Sequence, residues 1–361
     1  MPDERRISGW LRDDFGLDVR HVVPVGGGAD VRAAVFRATT VDGADLAVKW
    51  TTGGSPAGLA VPAFLAASGI EGAPAPVPTR AGGWWSEREG ARLSAVRWVA
   101  GTPALDAPLG PAHWTAYGRL LARLHGGRPG PDVTRWVPRV DYAGDAARWA
   151  AGFDAVTARI DRAEAAPGPR ALLGAGAGTD PRDPLVNRLL ALWARQRPRL
   201  AELRDRTDRL AARLAAADSA TGCAADSPAP SPADPHVLCH GDPHLGNVIA
   251  TGPGAVALID FDDAVLAPPE KDLMFVLGPG VLSFAPVDDR QRAWFLAGYG
   301  PVRPDPDRLA YFRCVRALED AGDLAAQVLD TAAHPAAARA EALGHLEGFC
   351  SPAGLLDQAL A

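Results

Sequence analysis

The first hundred residues show loosely alternating apolar and polar positions, the pattern of half-buried strands. The turn dipeptide Asp42-Gly43 separates two of these runs and predicts a hairpin. Two helices are expected among them, a short one over 8–15 and an Ala/Leu-rich one over 57–68, which Pro62 starts or kinks. The strands are expected at residues 21–25, 31–39, 46–50, 84–86 and 91–99.

Beyond residue 103 the apolar positions recur at intervals of three and four, which predicts amphipathic helices. Short β-type runs return at 236–238 and 255–261. Residues 218–235 are small, Pro/Ser-rich and poor in apolar bulk, which predicts a mobile loop. The expected architecture is a small β-rich lobe, a short link near 98–103 and a larger helical lobe. The helices are expected at 111–125, 142–164, 184–217 and from 288 onward, most clearly at 311–329.

Charge and composition exclude several classes of protein. The net charge of −6 disfavours a nonspecific partner of nucleic acids or anionic membranes, because both are polyanions. Four cysteines without a CxxC pair do not make a disulfide framework. The charged first residues lack the apolar run of a signal peptide, and no apolar stretch is long enough to span a bilayer. We therefore expect a soluble, cytoplasmic protein with reduced thiols, and neither a nucleic acid nor a membrane as partner.

Lysine usage marks one candidate position. Only Lys49 and Lys271 are lysines, whereas the other 35 basic residues are arginines. In such a chain a lysine inside an apolar strand indicates a place where a compact ammonium is needed. Lys49, in the strand-like run 46–50, fits this description, although taken alone it could also be a snorkelling residue of an edge strand.

The most specific segment is Val237-Leu238-Cys239-His240-Gly241-Asp242-Pro243-His244-Leu245-Gly246-Asn247, followed by Leu258-Ile259-Asp260-Phe261-Asp262-Asp263. An apolar strand that ends at Asp260 aims a carboxylate, and a loop could bring Asn247 beside it. One carboxylate and one amide oxygen suit Mg²⁺, which completes its shell with phosphate and water. Asp242 is then free to orient a hydroxyl and accept its proton.

These two motifs resemble the catalytic and metal-binding loops of the aminoglycoside phosphotransferase family, whose fold is protein-kinase-like. Gly241 stands where protein kinases have Arg, and Asp262 where they have Gly. Segments 28–37, 266–275 and 311–320 are similar to the spectinomycin phosphotransferase group in particular.

The resemblance implies an α+β fold with a nucleotide-binding N-lobe over 1–101 and a catalytic and substrate-binding C-lobe over 102–361. It implies ATP and Mg²⁺ as cofactors, with Asp242 as the catalytic base and Lys49 holding the nucleotide phosphates. Asn247 and Asp260 would bind the metal. The remaining nucleotide contacts would come from a phosphate-covering loop with Gly26, Gly27, Gly28 and Asp30 and from the adenine contacts Arg97, Trp98 and Val99.

The chain departs from the kinase pattern at one point. Kinases pair the strand lysine with a Glu on the following helix, but residues 50–70 contain neither Asp nor Glu, and the nearest acid is Glu71. Lys49 would then be oriented by an acid from elsewhere, or by phosphate and Asp260.

Other interpretations of single motifs stay open. The three glycines at 26–28 form neither GxGxxG nor a Walker motif and could be an ordinary turn. Asp260 and Asp262 could be solvated carboxylates of a turn. The third alternative is a zinc site among His236, Cys239, His240, Asp242 and His244, which the close spacing disfavours.

The second half of the chain suits a cationic acceptor. Residues 237–361 hold 17 acidic and 8 basic residues, a local net charge of −9. An acidic cleft attracts a protonated amine and holds it by charge-assisted hydrogen bonds. The candidate substrate contacts are Asp263, Glu270, Glu319, Asp320 and Asp323.

The sequence thus predicts an ATP-dependent O-phosphotransferase that acts on a hydroxyl of an aminoglycoside or aminocyclitol antibiotic of the spectinomycin type and confers resistance. A macrolide or a small metabolite such as a sugar amine is the alternative acceptor. A nucleotide-binding pseudokinase is the alternative of another class, supported only by the missing helix acid.

Overall fold

The computed structural model describes residues 2–26, 33–165, 183–221 and 235–361. The chain divides into two compact units, each made of three segments. The first unit comprises residues 1–139, 237–267 and 293–301, and the second comprises 140–236, 268–292 and 302–361. The lobe boundary expected at residue 101 stays a prediction.

The described residues form both strands and helices. The strands are β1 (Val19–Val25), β2 (Ala33–Thr40), β3 (Asp45–Thr51), β4 (Trp85–Arg88), β5 (Ala91–Arg97), β6 (Thr102–Pro103), β7 (Val237–Cys239), β8 (Val248–Gly252), β9 (Ala255–Leu258) and β10 (Val265–Ala267). The helices are α1 (Glu4–Trp10), α2 (Ala57–Ala67), α3 (Pro111–His125), α4 (Pro131–Thr134), α5 (Tyr142–Ala165), α6 (Pro184–Thr221), α7 (Glu270–Leu273), α8 (Asp289–Tyr299), α9 (Pro306–Leu329), α10 (Ala336–Phe349) and α11 (Leu355–Leu360). Among the helices that the structure describes, none has the length and apolar character needed to cross a bilayer.

An antiparallel sheet of five strands, in the order β1-β2-β3-β5-β4, dominates the first unit. The Asp42-Gly43 turn joins β2 to β3, and Gly43 adopts a φ of 90°, which glycine reaches without strain. In this register Lys49 on β3 lies opposite Val35 on β2 and Ser94 on β5. The lysine therefore sits on a central strand rather than at an edge.

The N-terminal helix covers one face of this sheet. Asp3 caps α1 by accepting the backbone N–H of Arg6, and a single π-helical turn, Leu11–Phe15, follows the helix. Apolar side chains of both elements are buried against Phe36, Val48 and Leu93 of the sheet. The burial of these large side chains fixes the sheet on which Lys49 stands.

The segment of the first unit that contains Asp242, Asn247 and Asp260 is built from short strands. β6, β8 and β9 form one small antiparallel sheet, and β7 pairs with β10 in another. Helix α3 packs against β7 and β9, and its buried Tyr117 donates a hydrogen bond to the carbonyl of Pro243. This hydrogen bond connects the loop that follows β7 to helix α3.

The second unit is helical and is arranged around α9. Helices α5, α6, α10 and α11 all pack against α9. Phe153 on α5 stacks on Trp193 on α6 at 5.6 Å between ring centroids, and Tyr311 on α9 donates to the carbonyl of Tyr142 at 2.9 Å. Buried Arg339 is paired with Asp183 at 2.7 Å. This packing explains why the apolar stripes of these helices recur every three to four residues.

Most elements lie where the sequence pattern places them, and the differences have physical causes. β8 and β10 were not expected, because runs this short carry little periodic signal. Pro62 lies inside α2, which begins at Ala57, so the proline does not start the helix. Helix α6 continues to Thr221, four residues into the predicted loop of 218–235. Residues 222–234 of that loop lie outside the described residues.

Candidate active site

A cavity of about 490 Å³ opens in the first unit beside the central strands of the sheet. Its walls come from β2, β3, β5 and α2 on one side and from β8 and the residues after β9 on the other. Polar groups enter it from Lys49, Ser94, Asp260 and Asp262. A largely apolar cavity with a few convergent charges is typical of a small-molecule site.

The ammonium group of Lys49 is held between two carboxylates. Its Nζ lies 2.6 Å from Oδ2 of Asp262 and 3.9 Å from Oδ1 of Asp260. The Lys49 side chain is only 29% exposed. A partly buried cation needs such partners, because burial without them is costly.

Asp260 stands two residues beyond the end of β9, in a backbone conformation that few residues adopt. Its φ is 61°, in the left-handed region, and such outliers concentrate at functional sites. Although its side chain is 57% accessible, the surrounding walls limit its hydration and raise the pKa of Asp260, an effect that Lys49 opposes. An exposed, incompletely hydrated carboxylate is well placed to accept a cation.

The loop with Asp242 follows β7 and is shaped by Gly241 and His240. Gly241 has a φ of 91°, and a Cβ there would lie 1.9 Å from the carbonyl oxygen of Asp263. The ring of fully buried His240 accepts the N–H of Asp242 at Nδ1 (3.3 Å) and reaches the carbonyl of Ile259 through Nε2 (3.0 Å). His240 thus ties the Asp242 loop to the residue that precedes Asp260.

Asn247 strengthens the same connection. Its side-chain Nδ2 donates to the backbone carbonyl of Asp242 at 2.9 Å, and the backbone carbonyl of Asn247 accepts the N–H of Ile259 at 3.0 Å. Because the amide nitrogen is committed to Asp242, Oδ1 is the atom that Asn247 can offer to a cation. Together with the carboxylate of Asp260 this is an oxygen donor set of the kind Mg²⁺ prefers, so the residues present fit that ion.

His244 faces Asp242 across the turn. Its Nδ1 accepts the N–H of Gly246 at 2.9 Å, which leaves Nε2 as the nitrogen that carries the proton, 3.5 Å from Oδ2 of Asp242. This contact can orient the Asp242 carboxylate. Hydrogen bonds in this loop also disfavour the zinc interpretation. The rings of His240 and His244 already make hydrogen bonds within the protein, and Cys239 donates to the carbonyl of Ala267.

The predicted nucleotide residues fall into two groups. Arg97, Trp98 and Val99 line the cavity at the end of β5, together with Lys49 and Asp260. Gly26 is described directly after β1, whereas Gly27, Gly28 and Asp30 lie outside the described residues.

The predicted substrate residues are spread over both units. Asp263 is exposed in the first unit, whereas Glu270, Glu319 and Asp320 belong to the second. Glu270 is 5% exposed and accepts the N–H of Asp305 at 2.8 Å, which favours a structural role. Asp320 is paired with Arg316 at 2.7 Å.

The residue of this site that sequence reasoning left without a role is Asp262. Its signal was present, since a second acid follows Asp260 closely in a chain whose residues 50–70 lack one. Only the structure shows that this acid contacts Lys49.

A strand lysine beside a strand-end aspartate, with a linked Asp–Asn loop, defines a protein-kinase-like phosphotransferase. The model of the phosphotransferase enzyme family (APH) matches residues 21–312, so the chain belongs to that family, whose enzymes transfer a phosphoryl group to an alcohol. The chain is similar to the structure of spectinomycin phosphotransferase APH(9)-Ia with ADP and spectinomycin (TM-score 0.77, 21% identity, 100% of this chain and 99% of that one). It is also similar to amicoumacin kinase hAmiN in complex with AMP-PNP, Ca²⁺ and Ami (TM-score 0.57, 16% identity, 98% of this chain and 95% of that one). Both likenesses establish the α+β fold.

One curated relative matches over a shorter stretch. The N-acetylmuramate/N-acetylglucosamine kinase of Caulobacter vibrioides is 37% identical over 90 residues, which cover 24% of each chain. The chain therefore matches about a quarter of the length of that relative.

Proposed function

We propose that this protein transfers the γ-phosphoryl group of ATP to a hydroxyl of an aminoglycoside or aminocyclitol antibiotic of the spectinomycin type, and so confers resistance. One observation carries the proposal. Lys49 and Asp260 enter one cavity, and hydrogen bonds through His240 and Asn247 connect that cavity to the loop with Asp242.

The nucleotide would occupy the cavity with its base against residues 97–99. The N–H groups of Arg97 and Trp98 already donate to the carbonyls of Ala75 and Asp45, so the backbone of Val99 would make the hydrogen bonds to an adenine. Apolar side chains such as Val35 and Ile249 provide faces for the ring. The ammonium of Lys49 would hold the phosphates as a point charge. Gly26, Gly27, Gly28 and Asp30 would cover them.

Asn247 and Asp260 would hold Mg²⁺, and when bound the ion would neutralise charge on the phosphate oxygens. Asp242 would orient the acceptor hydroxyl and take its proton. The bond from the acceptor oxygen to the γ-phosphorus forms as the bond from the bridging oxygen to that phosphorus breaks, and ADP leaves. His244 would keep the Asp242 carboxylate aimed at the hydroxyl.

Acidic residues support a cationic acceptor. The −9 net charge of residues 237–361 attracts protonated amines, which neutral sugars lack. Asp263, which lies in the same unit as Asp242 and is exposed, remains a proposed contact. Spectinomycin is the acceptor named for the similar structure APH(9)-Ia, and we propose this chemical class for the present chain.

A transfer assay tests the proposal. The full chain is incubated with ATP, Mg²⁺ and a panel of aminoglycosides, aminocyclitols, macrolides and sugar amines, and the gain of one phosphoryl group is read by mass spectrometry. We expect transfer to an aminocyclitol or aminoglycoside in preference to the macrolides and sugar amines of the panel. Nucleotide binding without transfer to any member of the panel would contradict the proposal.

A sugar-amine kinase is the second candidate, favoured by the partial match to the Caulobacter enzyme, whose name gives two N-acetylated amino sugars as substrates. Preferred transfer to a sugar amine, or to an N-acetylated amino sugar added to the same panel, would establish it. The pseudokinase alternative loses its sequence support, because Lys49 has a carboxylate partner despite the missing helix acid.

A further inference from the structure

The ion pair of Lys49 with Asp262 has a place in the nucleotide site that no motif assigns. Residues 50–70 supply no acid for Lys49. The carboxylate comes instead from the loop beyond β9, 213 positions along the chain, and lies 2.6 Å from the ammonium. Both side chains are about two-thirds buried, so the pair is shielded from solvent more than a surface ion pair is.

The first turn of α2 is shaped to receive this carboxylate. A Cβ on Gly58 would lie 2.2 Å from Oδ1 of Asp262 and 3.3 Å from its Cα. Any residue other than glycine at position 58 would therefore displace Asp262. The carboxylate also lies at the N-terminal end of α2, where the helix dipole favours negative charge.

The ion pair of Lys49 with Asp262 also affects the neighbouring carboxylate of Asp260. Asp260 lies 3.9 Å from the same ammonium, and it is the carboxylate proposed for the cation. If Lys49 lost its closer partner, the charge of the more distant Asp260 would be shared between the ammonium and the cation.

We propose that Asp262 is the positioning residue of Lys49. In protein kinases a glutamate on the helix after the strand pairs with this lysine, and here an acid in the loop after β9 has that role. It holds the ammonium for the nucleotide phosphates and leaves most of the charge of Asp260 for the cation. Gly58 complements this role, because a residue without a Cβ leaves room beside α2 for a carboxylate that belongs to another part of the chain. This inference rests on the proposed function of the cavity.

The lysine count allows a direct test that needs no catalysis. With only Lys49 and Lys271 in the chain, limited acylation of the nucleotide-free protein gives two lysine products that mass spectrometry separates. We expect Asp262→Asn to raise the acylation rate at Lys49 about tenfold, the size of effect that losing one charge-assisted hydrogen bond brings. Lys271 is the internal standard.

The kinetic readout separates positioning from a merely structural role. Asp262→Asn should lower kcat/KM for ATP about tenfold or more and leave KM for the acceptor unchanged, since the lost hydrogen bond is on the nucleotide side. Glu71→Gln removes the acid closest in sequence to α2 and is the matched control, which should change neither acylation nor kinetics.

A second variant keeps every charge. Gly58→Ala should displace the Asp262 carboxylate and raise Lys49 acylation in the same way, even where Asp262→Asn does not fold. In Gly58→Glu/Asp262→Gly the acid is returned from the helix, and the low acylation rate should recover.

An acylation rate at Lys49 that stays within about twofold of wild type in both Asp262→Asn and Gly58→Ala would overturn the proposal, because a lost charge-assisted hydrogen bond has a larger effect. The same increase in Glu71→Gln would also overturn it. If the variants show raised Lys49 acylation but the wild type transfers no phosphoryl group to any acceptor, the pairing of Lys49 with Asp262 is supported and only the proposed function is contradicted.

Discussion

At the scale of single residues, the conformation of Asp260 connects local strain to chemistry. A left-handed backbone at a non-glycine residue costs on the order of 1 kcal/mol and persists where the surroundings enforce it. Here the enforcing contacts are the hydrogen bonds of Ile259 with His240 and Asn247. The strand end is thereby fixed so that the carboxylate projects into the cavity.

This geometry predicts that Asp260→Asn abolishes the contribution of Mg²⁺ to nucleotide binding. The substitution keeps the shape of the side chain and removes the charge that attracts the cation. Calorimetric titration with ADP, with and without Mg²⁺, should give the same weak affinity in both conditions. Wild type measured with a chelator is the control, and a full Mg²⁺ effect in the variant would refute the role of Asp260.

Sequence reasoning identified these residues by their order and spacing, but not all of their partners. The interval from Asp242 to Asn247 and the strand before Asp260 are local features, so they are visible in the sequence. The choice of Asp262 over Asp260 as the closer partner of Lys49 depends on where α2 lies and on Gly58. That choice is tertiary and leaves no periodic signal.

At the scale of elements, the N-terminal helix is joined to the sheet edge by a polar network as well as by its apolar face. Asp14, in the π-helical turn, accepts two hydrogen bonds from Arg88 on β4, at 2.5 and 3.1 Å, and one from Ser86. The guanidinium of Arg88 holds the pKa of Asp14 below its usual value. The network fixes the helix whose apolar side chains support the sheet.

We expect Asp14→Asn to lower the free energy of unfolding by about 1 kcal/mol at neutral pH, the usual size of a partly buried charged hydrogen bond. Because the folded pKa is depressed, the contribution of the carboxylate is present above its unfolded pKa of about 4 and is lost as pH falls below it. Urea denaturation at several pH values should show the difference shrinking under acid. A difference that grows under acid would contradict this account.

The elements themselves were predictable where the pattern was long. α3 and α9 have apolar stripes over several turns, and the hairpin of β2 and β3 has its turn dipeptide. β8 and β10 were missed, because three to five residues do not distinguish a strand from a loop. The end of α6 was misplaced because the small and polar residues 218–221, Asp-Ser-Ala-Thr, carry no apolar periodicity that would extend the predicted helix.

At the scale of the whole molecule, we expect a bound nucleotide to stabilise the chain against unfolding. A ligand that binds only the folded state at about one hundred times its Kd adds about 2.7 kcal/mol of stability. ADP with Mg²⁺ should therefore raise the melting temperature by several degrees in a thermal scan. Asp260→Asn should lose the part that depends on Mg²⁺, and a wild type indifferent to every nucleotide would contradict a nucleotide site.

The acceptor belongs to this scale too, and it is the least predictable part of the function. The negative net charge of residues 237–361 favours a cationic acceptor, but a charge balance does not select one antibiotic. Structures similar to this chain bind spectinomycin or amicoumacin on the same fold. Identity of the acceptor depends on the side chains that meet it, and those vary while the fold stays the same.

The most direct measurement compares phosphoryl transfer by wild type and by Asp242→Asn, with ADP affinity measured in parallel. We expect the variant to bind ADP as wild type does, because the proposed nucleotide contacts are unchanged. Its kcat should fall by about 10²–10⁴, the usual effect of removing a general base. Undiminished transfer by a folded Asp242→Asn variant would contradict the central claim that Asp242, Asn247, Asp260 and Lys49 form one phosphotransfer site.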